Sequence, residues 1–224
     1  MGLGEWFEGF CSNIQVQDGG TISGRYKLIT QRLNTDFWDT ESDSAHSFYT
    51  GSYGRGTAIE GFSDLDMIFR LPYEVYARHD AHAGNGQAAL LQVVRASIKR
   101  TYASTDVGAD GQVVEIHFTD GITFQIVPAF NNTDGSFTFP DANDDGGWKT
   151  TDPKPEIEAI QKRNAECNNN LVRLCRMMRA WKGQWDVPIG GLLVDTLAYQ
   201  FIENYGYRDK SFFYYDYMCR DFFL

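Results

Sequence analysis

Between Gly51 and Phe69 the chain reads Gly-Ser-Tyr-Gly-Arg-Gly-Thr-Ala-Ile-Glu-Gly-Phe-Ser-Asp-Leu-Asp-Met-Ile-Phe, and no other stretch restricts the fold as much. Leu65 to Leu71 is a short apolar run that ends at Pro72, as a strand does when the next residue has no N–H for the ladder. Side chains at i and i+2 of a strand share a face, roughly 7 Å apart along the chain at a ~3.4 Å rise, so Asp64 and Asp66 project together. Leu65, Met67, Ile68 and Phe69 make the strand apolar enough to be central, where an acid is costly unless it meets a cation. The pair is therefore read as a grip for one or two divalent ions rather than as solvated strand residues. The glycine-rich segment ahead of it is expected to be a flexible turn that offers backbone N–H groups to an anion.

The neighbouring segments supply a scaffold. Ile22, Tyr26, Ile29, Leu33 and Phe37 recur at helical spacing, which predicts a helix over 21–37, and His46 to Thr50 reads as a strand entering the glycine turn. Ala88 to Ile98 reads as a second helix. Val113 to Phe118 and Ile122 to Val127 form a predicted hairpin around Thr119-Asp120-Gly121, closed by Pro128. Asn131 to Lys154 is rich in Asp, Asn, Gly and Pro and is expected to be a long loop; Asn131-Asn132-Thr133 is read as a turn there rather than as a glycosylation site. From Pro155 the pattern is helical: 156–185 with a break at Asn168-Asn169-Asn170, a helix from about Pro188 to Tyr205, and a last one from about Asp209. The expectation is an α+β lobe over 1–154 followed by a helical lobe over 155–224, with a cleft between them. The apolar end Phe222-Phe223-Leu224 is expected either to be buried or to lead into further chain.

Composition narrows the function classes. A formal net charge of −10 argues against general binding of duplex DNA or RNA, which rests on Lys and Arg neutralising phosphates. It suits an anionic ligand that arrives with Mg²⁺ attached. No apolar run approaches the ~20 residues of a bilayer span, and the start lacks a signal-peptide pattern, so the cytoplasm is the expected address; a monomer is expected. Cys11, Cys167, Cys175 and Cys219 show no metal-ligand spacing and are read as small buried hydrophobes. His46, His79, His82 and His117 are scattered. The aromatic cluster Phe212, Phe213, Tyr214, Tyr215 and Tyr217 is read as core.

Gly51-Ser52, followed by Asp64-Leu65-Asp66 with apolar flanks, resembles the signature of polymerase-beta-like nucleotidyltransferases. With Phe124-Gln125-Ile126-Val127-Pro128-Ala129-Phe130 and Arg179-Ala180-Trp181-Lys182 the likeness narrows to the bacterial cyclic oligonucleotide synthases, the CD-NTases of anti-phage signalling. The resemblance implies a mixed sheet with flanking helices, nucleoside triphosphate substrates, Mg²⁺ or Mn²⁺ as cofactor, and a cyclic product read by a downstream effector. It implies that Gly51, Ser52 and Lys182 contact the donor triphosphate. Asp64 and Asp66 would hold the metal ions, and Gln125 stands where the family places a third acid. An amide cannot act as a carboxylate base, so Glu115 on the partner strand is the candidate substitute, with Asp120 less favoured. Gly190-Gly191 replaces a phosphate-touching serine, a loss that bare helix N–H groups can cover. Three other readings stay open: a nucleotide-binding protein without turnover, a transferase acting on a protein or RNA acceptor, and a metal-dependent structural module.

Overall fold

Alternation of buried and open side chains along β-branched segments builds a mixed sheet in the computed structural model, which describes residues 2–61 and 64–224; Phe62 and Ser63 of the stretch above lie outside them. In chain order the elements are α1 (Leu3–Asn13), α2 (Gly19–Trp38), β1 (Ser47–Tyr49), α3 (Gly51–Arg55), β2 (Leu65–Arg70), α4 (Tyr73–Asp80) and α5 (Gly86–Thr101). Then follow β3 (Asp106–Asp110), β4 (Val113–His117), β5 (Thr123–Asn131), β6 (Phe137–Asp141) and β7 (Gly147–Thr151). The chain closes with α6 (Lys154–Glu166), α7 (Asn170–Gln184), α8 (Gly191–Glu203), a 3₁₀ turn (Phe212–Tyr214) and α9 (Tyr215–Phe222).

Compactness divides these elements into two units, each discontinuous in sequence. The sheet unit comprises Asp18–Thr50 and Asp64–Pro153; the helical unit comprises Met1–Gln17, Gly51–Ser63 and Lys154–Leu224. Phe7 and Cys11 of α1 join the core of α7, α8 and α9, and Arg55 of α3 is buried against Asp195.

In the sheet unit the strand order is β1-β2-β5-β4-β3, with β6 on the far end of β5 and β7 on β6. β2 and β5 run parallel; the other pairs are antiparallel. One face carries Leu65, Met67, Phe69, Phe124, Ile126, Val114 and Ile116, all buried, beneath the apolar stripes of α2 and α5. The opposite face carries Asp66, Gln125 and Glu115 in one cross-strand row, and a small apolar cluster of Ile68, Ala129 and Phe137 further along.

Several expected boundaries shift. Pairing of β5 with β4 stops at Ile126, but the strand itself runs through Pro128 to Asn131. Its other edge stays paired with β2, and its end recruits β6. The expected loop over 131–154 therefore contains a β6–β7 hairpin, with Thr, Phe and Trp in its strands and Asn143, Asp144, Asp145 and Gly146 in the turn between them. Pro72 both ends the extended segment and precedes α4, a helix the sequence reading omits. In the helical unit the break between α6 and α7 falls at Asn168 and Asn169, both at positive φ, which asparagine tolerates better than most residues. Of the terminal aromatics, Tyr215 is core, whereas Phe213, Tyr217 and Phe223 are exposed, as is Leu224. Cys11, Cys167 and Cys175 are buried and Cys219 is half-buried, all as free thiols. Burial pushes the Cys11 thiol up to about 11 and Cys219 up to about 12, which suppresses thiolate chemistry.

Candidate active site

In the sheet unit, the parallel pairing of β2 and β5 sets Asp66 directly opposite Gln125, and the antiparallel pairing of β5 and β4 sets Gln125 opposite Glu115. Cross-strand partners share a face, so these three side chains form one row. Asp64, two residues before Asp66, joins the same face. The Gln125 amide nitrogen donates to Glu115 Oε1 at 3.0 Å and, more weakly, to Asp64 Oδ2 at 3.4 Å. One –NH₂ group thus spans two carboxylates and offsets their mutual repulsion. The other Glu115 oxygen lies 3.4 Å from His117 Nε2, and His117 Nδ1 is 3.2 Å from the Thr123 hydroxyl. Glu115 therefore faces the site, tethered to Gln125. Asp120 is committed elsewhere: Arg25 grips it with two hydrogen bonds of 3.0 and 2.7 Å, and that grip holds its carboxyl below the usual carboxylate range.

The donor set suits a divalent ion carried by a substrate. Among the described residues no three Asp, Glu, His or Cys side chains come together as a ready-made cation cage. Asp64 is exposed and Asp66 half-buried. Mg²⁺ keeps several waters and is commonly held by one or two carboxylates plus substrate phosphates, a role that Asp64 and Asp66 can fill without a third acid.

In the helical unit, the glycine segment takes a shape the sequence reading does not give it. Gly51–Arg55 is a short helix rather than an open turn, with Gly51 at φ +56° in the left-handed region where glycine carries no Cβ penalty. The Ser52 carbonyl accepts from the backbone N–H groups of Thr57 at 2.8 Å and Ala58 at 3.1 Å, and Ser52 itself is only 8% exposed. Arg176 of α7 donates from Nε to the Gly56 carbonyl at 3.1 Å. Lys182 sits half-buried in the last turn of α7.

Sequence reasoning missed the most connected carboxylate of this unit. Asp195, 1% exposed, receives Arg55 Nε at 3.0 Å, the Thr57 hydroxyl at 2.7 Å, and a two-pronged Arg179 contact at 2.9 and 2.7 Å. Arg55 also reaches Glu156 at 2.6 Å, so two arginines and two acids neutralise one another. The available signal was an acid on the buried stripe of α8, between Val194 and Ala198, where a charge needs a partner. Gly191 follows from the same contact: a Cβ there would lie 2.6 Å from Arg179 Nη1.

Comparison with known proteins places this geometry. Residues 1–164 match the model of the Second Messenger Oligonucleotide or Dinucleotide Synthetase domain. A probable cyclic nucleotide synthase from Bacillus cereus (strain VD146) is 27% identical over 184 residues, covering 69% of this chain. The chain spans 55% of that relative's length. Among solved structures, the CdnE cyclic dinucleotide synthase of Elizabethkingia meningoseptica, determined with GTP and Apcpp, superposes with a TM-score of 0.67 at 13% identity, covering 97% of this chain and 85% of its own. The CdnE c-di-GMP synthase from Capnocytophaga granulosa superposes with a TM-score of 0.65 at 15% identity, covering 91% and 67% respectively. The mixed sheet with flanking helices is thus the nucleotidyltransferase fold of those enzymes. With most of its length matched by the family model, the chain belongs to the Second Messenger Oligonucleotide or Dinucleotide Synthetase family, the bacterial CD-NTases.

Proposed function

We propose that this protein is a Mg²⁺-dependent synthase that joins nucleoside triphosphates into a cyclic di- or oligonucleotide, a messenger for a downstream effector in bacterial anti-phage signalling. The observation that supports this most is the Asp66–Gln125–Glu115 row with Asp64 on the same face. Asp64 and Asp66 hold the divalent ion, which supplies charge neutralisation at the leaving pyrophosphate when bound. Gln125 orients Asp64 and keeps Glu115 turned toward the site. Gly51, Ser52 and Lys182 take the donor triphosphate. In this reading the protein acts as a monomer in the cytoplasm; no helix among the described residues is long and apolar enough to cross a membrane. By role, 1–154 supplies catalysis and 155–224 supplies the lysine side of the triphosphate contact.

Incubation with labelled nucleoside triphosphates and Mg²⁺ is expected to yield a small product resistant to phosphatase, lost without the metal. Absence of product from every nucleotide mixture would overturn the synthase reading. Gln125 favours one second reading, nucleotide binding without turnover, since its amide cannot take up a proton as a carboxylate does. Thermal stabilisation by nucleotide with no product selects that reading.

A further inference from the structure

Both elements assigned above to the donor triphosphate, the Gly51-Ser52 turn and the Lys182 helix, are fastened to one carboxylate. Arg55 and Thr57 come from the end of α3 and the residues just after it; Arg179 comes from α7, one turn before Lys182. All three donate to Asp195 of α8. The carboxylate is fully desolvated, and the cluster satisfies its charge internally. Neither Arg55 nor Arg179 is therefore spare to meet a phosphate; their charges are spent on holding position. Lys182, half-buried in the last turn of α7, is the neighbouring cation one turn beyond Arg179.

We infer that Asp195 is a positioning residue for triphosphate binding: it fixes the Gly51-Ser52 turn and the Lys182 helix in one register, so that their separate contacts act on the same triphosphate. This rests on the functional reading given above. Asp195 touches no substrate; it acts through Arg55, Thr57 and Arg179. Gly191 belongs to the device, because any side chain there would displace the Arg179 guanidinium.

The test uses the full chain and non-hydrolysable triphosphate analogues of the four common nucleosides, with the matching monophosphates as controls. Asp195→Asn keeps the shape of the side chain but removes its charge. It is expected to weaken triphosphate binding at least tenfold while monophosphate binding changes less than twofold, a discrimination that a purely structural defect would not produce. Thr57→Val, which removes a single donor and is the milder variant should Asp195→Asn fold poorly, is expected to show the same selective loss in smaller measure, about threefold. Combining Asp195→Asn with Ser52→Ala, or with Lys182→Ala, is expected to lose no more than twice what the worse single variant loses, because each pair acts through one arrangement. Equal losses for tri- and monophosphate, or fully multiplicative double variants, would overturn the inference. If Ser52→Ala and Lys182→Ala themselves leave triphosphate binding intact, it is the assignment of the triphosphate site that fails instead.

Discussion

Two groups of carboxylates in this protein have opposite surroundings. Asp195 in the helical unit is sealed from water and receives four hydrogen bonds from three side chains. On the polar face of the sheet unit, Asp64 receives one long hydrogen bond from an amide, and Glu115 is steadied by that amide and by His117. A group fully satisfied by its own protein has nothing left to offer a ligand; acids gathered on one face with few donors keep their affinity for a cation. The difference separates a carboxylate used for architecture from carboxylates held ready for chemistry, and it predicts opposite responses to the same substitution.

The largest effect is expected on the sheet. Asp64→Asn combined with Asp66→Asn should abolish product formation, followed by chromatography of labelled nucleotides, while leaving the denaturation midpoint unchanged or slightly raised, since two crowded negative charges disappear. Asp195→Ala should do the reverse in kind: loss of one partner of a buried ion network destabilises by about 3–5 kcal/mol, readable by urea denaturation followed by circular dichroism. If Asp195→Ala unfolds at the wild-type urea midpoint, the contrast between the two groups collapses.

Gln125 sharpens the comparison from between its neighbours. As an outer support of the acids, its replacement by Ala should reduce turnover about 10–100-fold. Gln125→Glu should lower the thermal midpoint in metal-free buffer by placing a third negative charge between Asp64 and Glu115, and Mn²⁺ should restore it. A Gln125→Glu protein as stable without metal as the wild type would show that the amide does not relieve repulsion. The smallest effect belongs to Asp120. Its carboxyl is held below the ordinary range chiefly by the hydrogen bonds from Arg25. Its stabilising contribution is therefore complete above the ordinary carboxylate pKa and fades as pH falls through the lowered folded value. Asp120→Asn should slightly lower the thermal midpoint at neutral pH and converge with the wild type in strong acid.

The strands that carry the acids were legible because β2, β4 and β5 alternate or run apolar in Val, Ile, Phe and Met, and a face defined by period two needs no partner to be read. The outer strands were not: β3 is Asp-Val-Gly-Ala-Asp, and β6 and β7 lie among Asn, Asp, Gly and Pro. At such edges pairing with a neighbour outweighs local propensity. Asp64 and Asp66 could be singled out because their chemistry lies in local spacing, and Gln125 because the family resemblance expects an acid at its position. For Asp195 the apolar stripe around it signals only that a partner is needed; the partners come from positions 55, 57 and 179, and only the tertiary fold brings them together. The rigidity of the Gly51 segment was misjudged for the same reason: its glycines suggested freedom, and the restraint sits at a distant residue.

That distance has a consequence for biosynthesis. Arg55 and Asp195 are 140 positions apart, so at a translation rate of ~5–20 residues per second the arginine leaves the ribosome about 7–28 s before its partner exists. During that interval the sheet, whose segments are all complete by residue 153, can form, while the segment 51–61 has yet to gain the helices it packs with. A guanidinium that will end desolvated must meanwhile stay hydrated, which disfavours premature collapse of the segment onto the apolar faces nearby. The helical unit is thereby obliged to close late, and slow translation of residues 154–195 would lengthen the nascent chain's exposure to proteases.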